Sequence, residues 1–252
     1  MGIDNIWVFA QAAAGEPTTG TLELLTEARG LGGTVSAFIA GDGAALSAAL
    51  GDHGAAKVFS TGDLGGALPG AAVAAAMQAV IDGGESPDLI MFPQNYEGRD
   101  VMARLSVKLD RTVLTNSTDI TVEGDSVTVQ TPIFGGSKLV NSTFTGEAPF
   151  LAAFRPKSFE VEGGAGAAGE VASAPVPDLG ATGGKVVLIR GEAGIGKSSL
   201  VTEFARQRAG DAHVLFGACD DLFIPQPLCP FTDWCRDEPS LRAPMDATDR
   251  LR

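Results

Sequence analysis

The residues best suited to chemistry lie late in this 252-residue chain. Gly191-Glu192-Ala193-Gly194-Ile195-Gly196-Lys197-Ser198 fits the spacing G-x-x-x-x-G-K-[ST] of a P-loop. Glycines at these positions let the backbone wrap tightly and turn its N–H groups toward phosphate oxygens. A helix starting directly after them adds the positive end of its dipole. Lys197 then reaches the β- and γ-phosphates, and the Ser198 hydroxyl sits on Mg²⁺. Gly191, Gly194, Gly196, Lys197, Ser198 and Ser199 are therefore the candidate ATP-binding residues, with Ser198 the candidate metal ligand. The competing reading is a glycine-rich strand-to-helix turn that holds nothing. Hydrolysis would further need an acidic residue on a later strand to hold Mg²⁺. Asp220 and Asp221 follow the motif too closely for that and read as a surface loop.

Other reactive groups are sparse. Cys219, Cys229 and Cys235 form an odd set with no C-x-x-C pair, so neither a disulfide framework nor a zinc site is signalled. Reduced thiols are the expectation. His53, in Gly51-Asp52-His53-Gly54, reads as a loop histidine between a helix and a strand. The first apolar run is followed by Phe9-Ala10-Gln11-Ala12 rather than G-x-G-x-x-G, which argues against a dinucleotide cradle at that turn. No catalytic residue is assigned.

The elements that position these groups alternate. Ile6–Ala10, Val35–Ile39, Lys57–Ser60, Leu89–Phe92 and Val113–Thr115 have strand length and apolar composition. Between them, Leu24, Leu25, Ala28 and Leu31 recur at helical spacing before Gly32-Gly33. Short and long helices follow at Ala44–Leu50 and Ala71–Ile81, the latter stopped by Gly83-Gly84. Asn95 can cap a helix in which Val101, Leu105 and Leu109 share one face. This order predicts an α/β fold with a Rossmann-like, mostly parallel sheet and helices on both faces. Ile120–Val122 and Val127–Val129 flank Gly124-Asp125 as a hairpin. Lys138–Thr145 and Pro149–Phe154 look like further strands, so an antiparallel extension is expected to end the sheet. Residues 1–160 are thus expected as one domain. Residues 161–184, rich in Gly, Ala and Pro and without periodicity, are expected as a linker. Residues 185–252 are expected as a truncated, incomplete P-loop α/β segment: a strand over 185–190, the glycine loop, a helix over 199–208 and a strand over 213–216.

Composition narrows the function classes. Hydrophobic residues make up 44% and charged residues 19%, enough apolar side chain to build a core. No apolar run approaches the ~18 residues of a membrane span. The opening Met1-Gly2-Ile3-Asp4-Asn5 has no basic region ahead of an apolar one. A cytoplasmic protein with no membrane partner is the expectation. Residues 1–182 carry nine basic and 21 acidic residues, against nine and ten in 183–252. That acidic balance argues against a nucleic-acid partner, since phosphates need Lys and Arg to neutralise them. The shift in charge, with all three cysteines beyond residue 183, suggests two segments of different origin.

Two family resemblances emerge. Tyr96-Glu97-Gly98-Arg99-Asp100-Val101-Met102-Ala103-Arg104-Leu105 with Leu109-Asp110, followed by Pro132-Ile133-Phe134-Gly135-Gly136-Ser137 and Phe154-Arg155-Pro156-Lys157-Ser158-Phe159, resembles the α subunit of electron transfer flavoprotein. That family carries a GRD…ARL…LD helix and an R-P-I-Y/F-G-G-like stretch. Here Thr131 replaces its Arg and Phe134 its Tyr. The resemblance covers residues 1–178. Residues 183–252 resemble the opening of the ATPase module of large LuxR-type transcription regulators, on GKVVLIRGEAGIGKSSLVTEFA and VLFGACDDLFIPQPLCPF. The chain has the look of a fusion of the two.

The first resemblance implies a heterodimer with an electron transfer flavoprotein β subunit. The pair carries electrons on FAD from dehydrogenases to a respiratory acceptor. It implies a structural and docking role for the first domain, packed against the β subunit. The family's flavin is held mainly by a second α domain, whose place after the linker is taken here by the P-loop segment. No residue is carried over as a flavin ligand. The alternative is an ATP-binding signalling module with an N-terminal Rossmann-like domain.

Overall fold

In the computed structural model, residues 3–180, 196–208 and 210 are described. They belong to two compact units, Met1–Val186 and Val187–Arg252. In the first, the chain runs β1 (Asn5–Ala10), a small hairpin β2 (Ala12–Ala13) and β3 (Glu16–Pro17), α1 (Thr19–Leu31), β4 (Thr34–Ile39), α2 (Ser47–Asp52), β5 (Lys57–Ser60), α3 (Pro69–Asp82), β6 (Leu89–Pro93) and α4 (Tyr96–Leu109). It continues through β7 (Val113–Ser117), β8 (Asp119–Glu123), β9 (Ser126–Ile133), β10 (Lys138–Thr143), β11 (Phe150–Phe154) and β12 (Glu170–Ser173).

Seven strands form one sheet in the order β12-β5-β4-β1-β6-β11-β7, and every pairing in it is parallel. The fold is Rossmann-like α/β. Alternation along β1 explains how both faces are used. Ile6, Val8 and Ala10 face a cluster with Leu24, Leu25 and Ala28 of α1 and Leu50 of α2. Trp7 and Phe9 face Val73 and Met77 of α3 and Val101 and Leu105 of α4. Fully burying a side chain of this size contributes about 1.5–3 kcal/mol, so a strand buried on both faces must read as a continuous apolar run.

Local chemistry sets the helix limits. Thr18 caps α1, accepting from Thr21 N, and Gly32 (φ 93°) and Gly33 (φ 79°) end it. A Cβ on Gly33 would meet Asp4 O at 2.7 Å, so this turn excludes a larger residue. Pro69 opens α3, where a missing N–H costs nothing. Asn95 caps α4 as expected, and Asp110 leaves it in a left-handed conformation (φ 52°).

The antiparallel extension is present as a separate sheet, β10-β9-β8. Its Ile120, Val127 and Val129 pack into the α1 face of the core. Phe150–Phe154 is not part of it. This strand lies between β6 and β7 in the parallel sheet, because Leu151 and Ala153 bury toward one face and Ala152 and Phe154 toward the other.

The stretch expected as a linker is also structured in part. Glu170–Ser173 forms β12 and pairs with β5 at the sheet edge. The segment before it is strapped to α1 and α2. Glu162 N donates to Thr26 Oγ1 (3.2 Å), Ala165 N to Asp52 O (2.8 Å) and Gly169 N to Ser47 O (3.1 Å). Small residues are what allow this: a Cβ on Gly51 would overlap Ala167 O. Low side-chain volume here serves close packing rather than flexibility.

Among the described residues, the second unit contributes one helix, α5 (Lys197–Arg208). No described helix is long and apolar enough to cross a membrane.

Candidate functional site

In an open parallel sheet, the crevice for a ligand lies at the carboxyl ends of the strands, where the chain reverses its direction of winding. Here that point is the end of β1, since β4 lies on one side of it and β6 on the other. The residue there is Gln11. Its backbone is pinned to the start of α1: its N–H donates to Thr21 Oγ1 (2.8 Å), and its carbonyl accepts from Thr21 Oγ1 (3.0 Å) and Thr18 N (2.9 Å). Its side chain reaches the start of α4. Asn95 Nδ2 donates to Gln11 Oε1 (2.6 Å), and Gln11 Nε2 donates to Glu97 Oε2 (2.6 Å). Asn95 Oδ1 meanwhile accepts from Gly98 N (2.9 Å), capping α4.

Beside this network is a crevice of about 290 Å³, bordered by Gln11, Gly41, Asp63, Pro69 and Glu97. Its charged walls are carboxylates, with no lysine or arginine among the described residues that border it. A flavin dinucleotide does not fit it. The pyrophosphate would meet Asp63 and Glu97. The polar groups at the β1 turn are already committed to one another, and the volume is at the lower limit of small-molecule pockets, about 300–1,000 Å³.

A second cleft of about 150 Å³ opens on the α1 side, bordered by Thr18, Glu23, Gln94, Asn95 and Arg155. Gln94 N donates to Phe154 O (2.7 Å), and Gln94 Oε1 accepts from Asn116 N (3.3 Å). Asn116, in the left-handed region (φ 65°), accepts from Arg155 Nε at 2.6 Å. Glu23 is buried and accepts from Lys157 N (2.8 Å). One turn along α1, burial and then the neighbouring Asp119 hold the Glu27 carboxyl above the usual glutamate range.

The Gly98-Arg99-Asp100 motif is explained by packing. A Cβ on Gly98 would overlap the Pro93 carbonyl, so only glycine lets α4 turn back so closely on β6. Asp100 lies against Gly70 in the first turn of α3 and accepts from Arg104 Nε (2.7 Å). Pro132 and Ile133 end β9, and Phe134-Gly135-Gly136-Ser137 forms the tip between β9 and β10. Phe134, Gly135 and Gly136 all have positive φ there, and Phe134 is 78% exposed. His53 ends α2, its Nδ1–H donating to Ala49 O (2.8 Å), as a loop histidine would.

The structure places only part of the glycine loop. Gly191 and Gly194 lie outside the described residues, as do Asp220, Asp221, His213 and the three cysteines. Gly196 has φ 98°, Lys197 starts α5, and Leu200 N donates to Gly196 O (2.9 Å). Ser198 and Ser199 are exposed in the first turn. Among the described residues no cluster of His, Cys, Asp or Glu could hold a metal ion. Sequence reasoning did not assign roles to Gln11, Asn116 or Arg155. The available signal was positional: each follows an apolar strand run at its carboxyl end.

The electron transfer flavoprotein domain matches residues 6–179, and the chain belongs to that family. It is 31% identical over 164 residues to the electron transfer flavoprotein subunit alpha of Syntrophomonas wolfei subsp. wolfei, which is 64% of this chain and 51% of the relative. The chain thus spans about half the length of the curated relative it matches.

Proposed function

We propose that this chain acts as an electron transfer flavoprotein α-like subunit, contributing a scaffold and docking domain to a cytoplasmic heterodimer with a β subunit. The observation that carries the reading is the family match over residues 6–179, which falls on the first unit. In such a pair FAD supplies the electron-carrying group between dehydrogenases and their acceptor, and no residue of this chain is assigned as its ligand. What the first unit offers is rigid placement. Its sheet is buried on both faces, and it projects an apolar arm with Phe134, Leu139 and Val140 exposed. An apolar projection of this kind is the normal anchor of a protein interface. Co-expression with a family β subunit and measurement of the complex mass tests the reading. A one-to-one complex weakened by Phe134→Ser with Leu139→Ser is expected. Two proteins that stay separate at ~10 μM, where a stable interface would hold them together, would reject it.

A second reading concerns the other unit, a P-loop like that of LuxR-type regulator ATPases, binding Mg-ATP through Gly191, Gly194, Gly196, Lys197, Ser198 and Ser199. The left-handed Gly196 immediately before α5 supports it, since a phosphate loop needs such a turn into its helix. Titration with Mg-ATP decides. Binding by the full chain that is lost in Lys197→Ala is the expected result, and no binding by either protein leaves the loop a plain turn.

A further inference from the structure

We propose that the rim carrying Tyr96, Arg99, Arg155 and Lys157 is a docking site for an acidic segment of a partner protein. Acidic residues outnumber basic ones 21 to nine over residues 1–182, and four of the nine cations pair with a carboxylate. Arg29 pairs with Glu162, Lys57 with Glu85, Arg104 with Asp100 and Arg111 with Glu147. Lys108 donates to Gln78, and Lys138 is a single charge on β10. The remaining three basic residues are Arg99, Arg155 and Lys157. All three are exposed, and among the described residues none has an ion-pair partner.

They are also gathered. Arg99 Nε donates to Asn95 O (3.3 Å), and Arg155 is held by Asn116, whose N–H donates to Gln94 Oε1. Both guanidinium groups therefore flank the Gln94-Asn95 turn between β6 and α4. Tyr96, in the same turn, is 87% exposed with its ring 5.2 Å from the Arg99 guanidinium carbon. Tyrosine and arginine are both enriched among the residues that anchor interfaces, and a cation over a ring adds a modest attraction between them. Asn116, which accepts from Arg155, and Lys157, two residues beyond Arg155, both adopt left-handed backbone (φ 65° and 64°). Such conformations cost about 1–3 kcal/mol each and persist where the surroundings hold them. The effect is to fix an uncompensated charge at the end of a rigid sheet.

Charge complementarity selects the occupant. A small oxyanion drawn into the cleft would meet the Glu23 carboxylate beside Arg155, whereas a peptide lying over the rim would meet exposed Arg99, Arg155 and Tyr96. Nucleic acid fits less well, because its continuous line of phosphates would run beyond the rim onto the acidic remainder of the unit, whereas a short acidic segment needs only the rim. The inference needs no assumption about the β subunit and stands or falls separately from the family role.

The test is fluorescence anisotropy of the full chain with a labelled peptide of alternating Glu and Ala. We expect saturable binding that weakens at least about fivefold between ~50 and ~300 mM NaCl, as screening requires. Arg99→Ala with Arg155→Ala should weaken it by about tenfold or more. Arg99→Lys with Arg155→Lys should retain part of it, and Lys108→Ala all of it. Circular dichroism melts confirm that each variant is folded. Absence of binding, or equal binding by the double alanine variant, overturns the proposal. Competition by inorganic phosphate at matched ionic strength overturns it too, by assigning the cations to a small anion.

Discussion

Asp100 of α4 rests against Gly70 of α3, so closely that a Cβ at residue 70 would overlap its carboxylate. The two helices cross over a site where a charged side chain and a bare backbone occupy complementary space. Their contact packs the first turn of α4, which follows the Asn95 cap and carries Tyr96, Glu97 and Arg99, against the first turn of α3.

Gly98→Ala is expected to destabilise the first unit by about 2–4 kcal/mol, because the overlapping group is a backbone carbonyl, whereas Gly70→Ala should cost less, since the Asp100 carboxylate is half-exposed and can swing aside. Gly30→Ala, also in a helix but with open space around it, should be neutral or slightly stabilising. Urea unfolding of the three variants checks the contrast. Equal midpoints would contradict it.

Asn95→Ala removes the α4 cap and the partner of Gln11 Oε1 at once, and should cost about 1–2 kcal/mol. Asn95→Asp keeps the acceptor for Gly98 N but loses the donor to Gln11, so its loss should be smaller. Thermal melts that rank aspartate below alanine would show that the cap is not the dominant part.

Glu27 predicts a pH dependence. Its pKa is raised in the folded state, so the folded protein binds this proton more readily than the unfolded chain does. The stability this provides is full below the unfolded value and is lost as pH rises through the folded one. Glu27→Gln should therefore raise Tm at neutral pH, and the gain should shrink as the pH falls and wild-type Glu27 takes up its proton, which it does earlier than an ordinary glutamate. A gain independent of pH would assign it to packing instead.

Leu200 and Phe204 of α5 are exposed although they sit at helical spacing. Leu200→Ser with Phe204→Ser should leave the unfolding of the first unit unchanged and reduce binding of a hydrophobic dye. A lowered melting point of the first unit would show that these side chains matter to its stability.

Much of this fold was legible in the sequence. Lys57–Ser60 and the Asn95 cap follow directly from residue type, and the hairpin around Gly124 from its turn chemistry. What the pattern could not reveal was neighbour identity. Phe150–Phe154 reads as a strand in any arrangement, and only its burial on both faces places it between β6 and β7. The Gln11, Asn95 and Glu97 network joins residues about 85 positions apart in the chain, beyond the reach of local spacing rules. Arg155 stood in a recognised stretch, yet its unpaired state depends on where every carboxylate of the unit lies.

The pairing of Glu170–Ser173 with Lys57–Ser60 changes where this polypeptide can be divided. A cut after residue 160, which composition alone would recommend, removes the edge strand and leaves β5 as the new rim of the sheet. The newly bare amides and carbonyls of residues 57–60 would seek another strand, and a neighbouring molecule is the nearest supply. Material trimmed there should self-associate, whereas material trimmed after residue 180 should stay dispersed.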